Sequence, residues 1–220
     1  MITCNSNGSM DAIAVGVDKR MMALSRLPKE DGALIQAYAE KHIHVLHYTS
    51  LHVLHCVSEG RLKTYFLIGL DDKPIRYSLQ EDFLMAKCLM AAAMKEGVSD
   101  LAVMIDTLEM DVDALIDGLL YRNYEFTHYK NHRSSKTIRN INLITSNVKI
   151  KDFNTRCYVY SAVYEGIYMA RDLINMPPNE LTPRKFTDII TSTIKGDNIL
   201  IESFIVVFKS FSSTIASILE

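Results

Sequence analysis

No C-x-x-C pair occurs in this sequence, and its four cysteines, Cys4, Cys56, Cys88 and Cys157, lie far apart. That scatter argues against a disulfide frame and for reduced thiols in a cytoplasmic setting. Charge of one sign is not in excess either. A formal net charge of -2 predicts no strong field and gives no reason to expect nucleic acid or an anionic membrane as partner. No stretch reaches the roughly 17–25 apolar residues that span a bilayer, and Glu202 and Lys209 interrupt the apolar run near the end of the chain. Residues 1–10 are polar and lack the apolar centre of a signal peptide. Internal repeats and low-complexity tracts are absent.

What is there is an ordinary globular composition. An apolar share of 48% is enough for a core, and 220 residues suit one domain with an appendage or two small ones. Ala12–Val17 and Leu101–Ile105 read as buried strands. Residues 64–70 are apolar on both faces, as a strand covered by helices must be. Between them lie helical patterns. Asp31 and Gly32 precede a predicted helix over Ala33–Lys41, with Leu34, Ile35 and Tyr38 near one face. Ser78-Leu79-Gln80-Glu81 has the form of a capping box, opening a helix that stops at Gly97 and is apolar around much of its circumference. Asp111 and Asp113 suit a helix start, followed by the apolar face of Leu115, Ile116, Leu119 and Leu120. Ile138–Ile144 is strand-like. Asp152 or Asn154 then caps a long helix to Asn175, whose expected buried stripe is Val159, Val163, Ile167, Ala170 and Ile174. Alternating strands and helices predict an α/β fold with a mixed or parallel sheet flanked by helices.

Three clusters invite a functional reading. His42, His44, His47, His52 and His55 are the first, since neutral imidazole is a common metal ligand. In a strand, however, His42, His44 and His52 face one way and His47 and His55 the other, so a strand pair with histidines at its rim is favoured. The second is the acidic set Asp106, Glu109, Asp111, Asp113 and Asp117. No partner base is in view, and caps with a solvated loop explain it better than acid–base chemistry. The third is the 128–139 loop, with Tyr129, Lys130, His132, Arg133, Lys136 and Arg139. It offers phosphate contacts for DNA but no DNA-reading motif, and a solvated polar loop is favoured.

The most specific run is Ala170-Arg171-Asp172-Leu173-Ile174-Asn175-Met176-Pro177-Pro178-Asn179-Glu180-Leu181-Thr182-Pro183. A helix must end near Asn175, because Met176 and Pro177 each precede a proline and leave the helical region. Thr182 caps a new helix with Pro183 at its first position. Phe186, Ile189, Ile190 and Ile194 mark one face of it, Gly196 ends it, and a strand is expected to begin at Asn198.

This run resembles the domain junction of the leucine (cytosol) aminopeptidases. Tyr65-Phe66-Leu67-Ile68-Gly69-Leu70 and Gly118-Leu119-Leu120-Tyr121-Arg122-Asn123-Tyr124-Glu125-Phe126-Thr127-His128-Tyr129-Lys130 extend the resemblance, which covers about residues 11 to 202. The resemblance implies a macro-like N-terminal α/β domain over 1–150, a linker helix over 151–176, and the beginning of a second α/β domain over 177–220, cut short. It also implies two divalent cations, zinc or manganese, about 3.5–4 Å apart, which bind the substrate and activate water. The family holds them with the motifs V-G-K-G-x-x-F-D-S-G-G and N-T-D-A-E-G-R. Neither occurs here. Beyond the junction the carboxylates are Glu180, Asp188, Asp197, Glu202 and Glu220, too scattered for a two-metal cage.

No catalytic, cofactor-binding or metal-binding residue can therefore be assigned, and no cofactor is expected in this chain. The expected role is a non-catalytic remnant or assembly domain of a leucyl aminopeptidase. It would associate with itself or with a full-length aminopeptidase paralogue and meet a peptide substrate only if a catalytic half is supplied. The alternatives are the non-catalytic half of a split aminopeptidase and a DNA-binding module using the 128–139 loop.

Overall fold

Alternating strand and helix patterns resolve into a six-stranded mixed sheet in a computed structural model that describes residues 2–5, 11–18, 27–42, 47–48, 50–70, 79–129, 137–146, 150–194 and 201–202. The strands are β1 (Ile2–Asn5), β2 (Ala12–Val17), β3 (Leu51–Ser58), β4 (Arg61–Gly69), β5 (Asp100–Met104) and β6 (Asn140–Ile144). The helices are α1 (Lys29–Lys41), α2 (Leu79–Lys95), α3 (Val112–Arg122), α4 (Ile150–Asn175) and α5 (Pro183–Thr193). The chain divides into two compact units, Met1–Tyr168 and Met169–Glu220.

In the first unit the strand order is β1-β6-β5-β2-β4-β3. All neighbours are parallel except β3, which pairs antiparallel with β4. The parallel strands are buried on both faces, which is why they read as continuous apolar runs rather than alternating ones. Alternate residues divide between two cores. Ala12, Ala14, Phe66, Ile68, Leu101, Val103, Ile141 and Leu143 face α2 and α3. Val15, Val17, Tyr65 and Leu67 face Ile35 and Ala39 of α1. The predicted face of α3, Leu115, Ile116, Leu119 and Leu120, is the buried one, while α2, expected to be apolar around much of its circumference, buries Met85, Leu89, Met90 and Met94 and leaves Leu84 exposed. Asp111 is the N-cap of α3, its side chain accepting from the Ala114 N–H at 2.9 Å. Gly97, at φ +71°, closes the turn after α2. Ser78, predicted to cap α2, lies outside the described residues.

α1 begins four residues earlier than predicted. Pro28 precedes its first turn, and Asp31 and Gly32, expected before the helix, are buried within it. The buried side is accordingly Asp31, Ile35 and Ala39, while Leu34 is 43% exposed. β4 also begins earlier, at Arg61. A two-residue turn at Glu59 and Gly60, both with positive φ, joins it to β3, the geometry that matches the twist of a hairpin.

The long helix α4 departs most from its sequence pattern. Val159, Val163 and Ile174, expected in its buried stripe, are 52%, 53% and 82% exposed. In the first unit the buried side is instead Cys157 and Tyr164, with Phe153, Tyr160 and Tyr168 partly buried against the same core. Tyrosine buries a large ring if its hydroxyl finds a partner. The Tyr164 hydroxyl donates to the Asp117 carboxylate and carbonyl, and the Tyr168 hydroxyl donates to the Leu120 carbonyl. Aromatic residues at three-and-four spacing thus outcompete the aliphatic set.

Asp152 and Asn154 are also not caps but lie inside α4. Asn154 clasps the outer edge of β1, its Oδ1 accepting from the Cys4 N–H at 2.8 Å and its Nδ2 donating to the Cys4 carbonyl at 3.0 Å. Both open ladder groups of that residue are thereby satisfied. Asn154→Leu should cost about 1–3 kcal/mol, the penalty for leaving buried backbone groups unmade, read as a lower urea midpoint with an unchanged slope.

In the second unit α4 ends at Asn175 as predicted, and the double-proline corner that follows is a hydrogen-bonded turn. Glu180 and Leu181 N–H groups both donate to the Pro177 carbonyl at 2.9 Å. Thr182 caps α5, its hydroxyl accepting from the Lys185 N–H at 3.3 Å, with Pro183 at the first position. No residue of α5 is buried, and Phe186 on its apolar side is 46% exposed. Gly196 and residues 198–200 lie outside the described residues, and Ile201 and Glu202 are not in a strand.

Candidate functional site

A buried set of ionisable side chains in the first unit joins the first turn of α1 to the β3–β4 hairpin. Asp31 is 2% exposed and Lys63 6% exposed, far below what either residue tolerates alone. Asp31 Oδ2 accepts from Lys63 Nζ at 3.0 Å and from the Tyr65 hydroxyl at 2.7 Å. Lys63 also donates to Ser58 Oγ at 3.2 Å and to Glu59 Oε2 at 3.3 Å. Strand alternation produces this meeting. Lys63 and Tyr65 are two apart on β4, so they share the face that α1 covers.

Each member is fixed in its resting protonation state. Burial works against the Asp31 charge, but hydrogen bonds from Ser58, Tyr65 and Lys63 outweigh it and hold the carboxyl below its usual range. The bond to Asp31, assisted by Glu59, raises Lys63 against the effect of burial. Burial first, and then the hydrogen bond to Asp31, raise the Tyr65 hydroxyl. A general base must instead lose its proton near the working pH. A carboxylate, an ammonium and a phenol so arranged form an ion-pair buttress, not an acid–base relay.

An open groove of about 350 Å³ runs beside this buttress, with Leu34, Leu54, Cys56 and Val57 in its lining. Burial raises the Cys56 thiol. The Cys4 thiol is also raised, and burial pushes Cys157 up to about 11. These three remain neutral thiols near pH 7, poor nucleophiles and poor metal ligands.

A second groove, of about 480 Å³, lies at the amino ends of the parallel strands and is lined by Asp11, Thr64, Glu96 and Asp100 among others. His55 stands over it. Its Nε2 lies 3.3 Å from Glu96 Oε2 and its Nδ1 3.1 Å from Thr64 Oγ1.

The sequence clusters do not converge. His42 follows α1 and stacks on Tyr38, with ring centroids 4.4 Å apart. His52 and His55 lie on opposite faces of β3, at the rim of a strand pair as predicted, and His44 lies outside the described residues. Among the described residues, no three of His, Cys, Asp or Glu gather to hold a metal ion. The acidic set is dispersed. Asp106 accepts from Thr145 and from the Ser146 N–H and hydroxyl. Asp113 pairs with Arg156 at 2.9 Å, and Asp117 accepts from Tyr164. Of the basic loop, residues 130–136 lie outside the described residues.

Sequence reading missed the Asp31–Lys63–Tyr65 group because its members come from elements 32 residues apart. It also missed Asp82, fully buried in α2, which accepts from the Tyr48 hydroxyl at 3.1 Å and the Asp111 N–H at 2.8 Å. The only signal was an acid inside an otherwise apolar helix face.

No protein-family model matches the chain. Among curated proteins, it is 32% identical over 130 residues to a probable cytosol aminopeptidase of Agrobacterium fabrum, covering 56% of this chain and 26% of that protein. A probable cytosol aminopeptidase of Chlamydia caviae is 28% identical over 111 residues, covering 50% of this chain and 21% of that protein. The chain thus spans about a quarter or less of the length of these curated relatives. Among solved structures, a tomato leucine aminopeptidase variant aligns over 87% of this chain and 41% of its own, with TM-score 0.63 and 17% identity. The bottromycin maturation enzyme BotP, in complex with Mn, aligns over 84% of this chain and 36% of its own, with TM-score 0.59 and 16% identity. At those identities the likeness concerns the fold.

Proposed function

We propose that this chain, which over about half its length is a relative of cytosol aminopeptidases, has no peptidase activity of its own and serves as an association module of aminopeptidase type in the cytoplasm. One observation carries this reading. The buried ionisable group of the first unit, Asp31 with Lys63 and Tyr65, is closed on itself, each member held in the wrong protonation state for proton transfer. Two sequence facts support it. The 220 residues contain neither metal-binding motif of the family that they resemble, and their carboxylates beyond the junction are scattered. Hydrolysis through two metals needs several carboxylates around one point. The cytoplasmic part of the reading is supported by the four cysteines, which are free and scattered as in reduced proteins.

Purified chain with manganese should leave leucine-p-nitroanilide unhydrolysed above a protein-free control. Clear turnover that co-purifies with the chain through successive columns would defeat the proposal.

A second reading is favoured by α5, whose apolar side, Phe186 with Ile189 and Ile190, has no buried residue among the described ones. In this reading the chain is one half of a split aminopeptidase, and a separately encoded catalytic chain supplies both the cover and the metals. Co-expression with that half should then restore the turnover that either chain lacks alone.

A further inference from the structure

The two edges of the sheet are treated differently. At β1 the Asn154 side chain takes up the Cys4 N–H and carbonyl that another strand would need. At the other end β3 is the last strand among the described residues, and it is twice as long, eight residues against four. Natural edge strands are guarded by lysine, proline, charge or a bulge. The sequence of β3, Leu51-His52-Val53-Leu54-His55-Cys56-Val57-Ser58, has no proline, lysine, arginine or acid, and its register with β4 is unbroken across all eight residues.

We propose that β3 is a homodimerisation edge, pairing antiparallel with β3 of a second copy to continue the sheet across a two-fold axis. Strand addition of this kind draws its affinity from main-chain hydrogen bonds and its register from side chains. The backbone pattern selects the register. Ser58 and Arg61 flank the two-residue turn and exchange hydrogen bonds, so Ser58, Cys56, Leu54 and His52 direct their N–H and C=O groups toward β4. Leu51, Val53, His55 and Val57 direct theirs outward. Only one symmetric alignment uses all four: Leu51 opposite Val57 and Val53 opposite His55 of the second copy, with roughly eight new backbone bonds. It places Leu54 against Leu54 on the axis.

A second copy is the occupant that the strand itself specifies. An antiparallel two-fold pairing is isologous, so one patch must suit itself. This strand carries no acid and no lysine or arginine, so self-pairing opposes no like charges from those groups. It also covers exposed apolar area. Val57 is 76% exposed and would lie against Leu51 of the second copy, beside Leu62, which is 63% exposed on the adjoining strand. The inference does not depend on the absence of peptidase activity, since size and hydrolysis are measured separately.

Sedimentation of the full chain should show a concentration-dependent monomer–dimer equilibrium at up to roughly 300 μM, which reveals dissociation constants into the high-micromolar range. His55→Pro removes an outward N–H and no bond to β4, a position where an edge strand accepts proline. It should weaken the dimer by at least about tenfold while the far-ultraviolet circular dichroism is unchanged. Independently, Leu54→Cys in a Cys88→Ser background should form a disulfide-linked dimer on mild oxidation, because facing residues of a non-hydrogen-bonded pair bring their Cβ atoms to about 4.5–5.5 Å. Leu51→Cys in the same background should not. A monomer throughout the concentration range would overturn the proposal, as would a folded His55→Pro variant that still dimerises. Failure of Leu54→Cys to cross-link would overturn it even if His55→Pro did not fold.

Discussion

Asp31→Ala is expected to lower the unfolding free energy by about 3–5 kcal/mol, the usual cost of removing one partner from a buried ion pair. The loss has two parts. Lys63, 6% exposed, keeps its charge without its main acceptor, and the Tyr65 hydroxyl loses the oxygen 2.7 Å away. Replacing both ends should cost far less. Asp31→Leu with Lys63→Met exchanges two desolvated charges for apolar volume, which is often neutral or stabilising. A urea-denaturation cycle over the parent, the two single variants and the double variant checks this, and additive single losses would refute the coupling.

The pH dependence follows from the direction of each shift. Asp31 has a folded value below its ordinary one, so its contribution is present above the unfolded carboxylate range, about 3.9. It is lost as pH falls through the folded value. Lys63 is raised, so its contribution is complete below about 10.4 and is lost as pH rises through the folded value. The pair should therefore leave stability flat between those limits. As pH falls below about 3.9 the gap between parent and Asp31→Ala should narrow.

How much of this could be read beforehand depended on whether the signal was local. β2, at Ala12–Val17, and the start and face of α3 were legible because periodicity and a cap within one segment determine them. The fold class followed from the alternation of such segments, and the proline corner followed from steric rules at Pro177 and Pro178. The β3–β4 hairpin was less legible. Its turn is Glu59-Gly60, and glutamate is not a residue that signals positive φ. The buried side of α4 was misjudged because only its aliphatic residues, Val159, Val163, Ile167, Ala170 and Ile174, were placed in the stripe. Partners on α3, the Asp117 and Leu120 carbonyls, let Tyr164 bury its ring and Tyr168 pack against the core. The Asp31–Lys63–Tyr65 group was illegible for the same reason, since each residue alone looks like a surface acid, a surface base or a strand aromatic. At the functional level the junction motif was the readable part, and it speaks of kinship rather than chemistry.

Alanine in place of glycine should carry opposite signs at two positions, because what decides the outcome is the space a methyl group would meet. At Gly16, near the end of β2, an added Cβ would lie 2.2 Å from the Thr107 carbonyl oxygen and 2.8 Å from a Leu70 methyl. The first is backbone and cannot swing away. It belongs to the 3₁₀ turn at Ile105–Thr107, where the chain leaves β5 and crosses close to β2. That turn is tied there by the Gly16 N–H, which donates to Thr107 Oγ1 at 2.9 Å, while the same hydroxyl donates to the Met104 carbonyl at 2.6 Å. A methyl group would push the turn outward and strain both bonds. Gly16→Ala is therefore expected to cost about 3 kcal/mol, at the upper end for overpacking. Gly166, in α4, has nothing within 4 Å of its added Cβ. There the alanine only restricts the unfolded chain and improves helix propensity, so Gly166→Ala should stabilise by roughly 0.5–1 kcal/mol. Thermal melts of the two variants beside the parent test the pair together. A Gly16→Ala protein as stable as the parent would mean that β2 and the Thr107 turn do not approach so closely, and the contact between the two central strands would have to be redrawn.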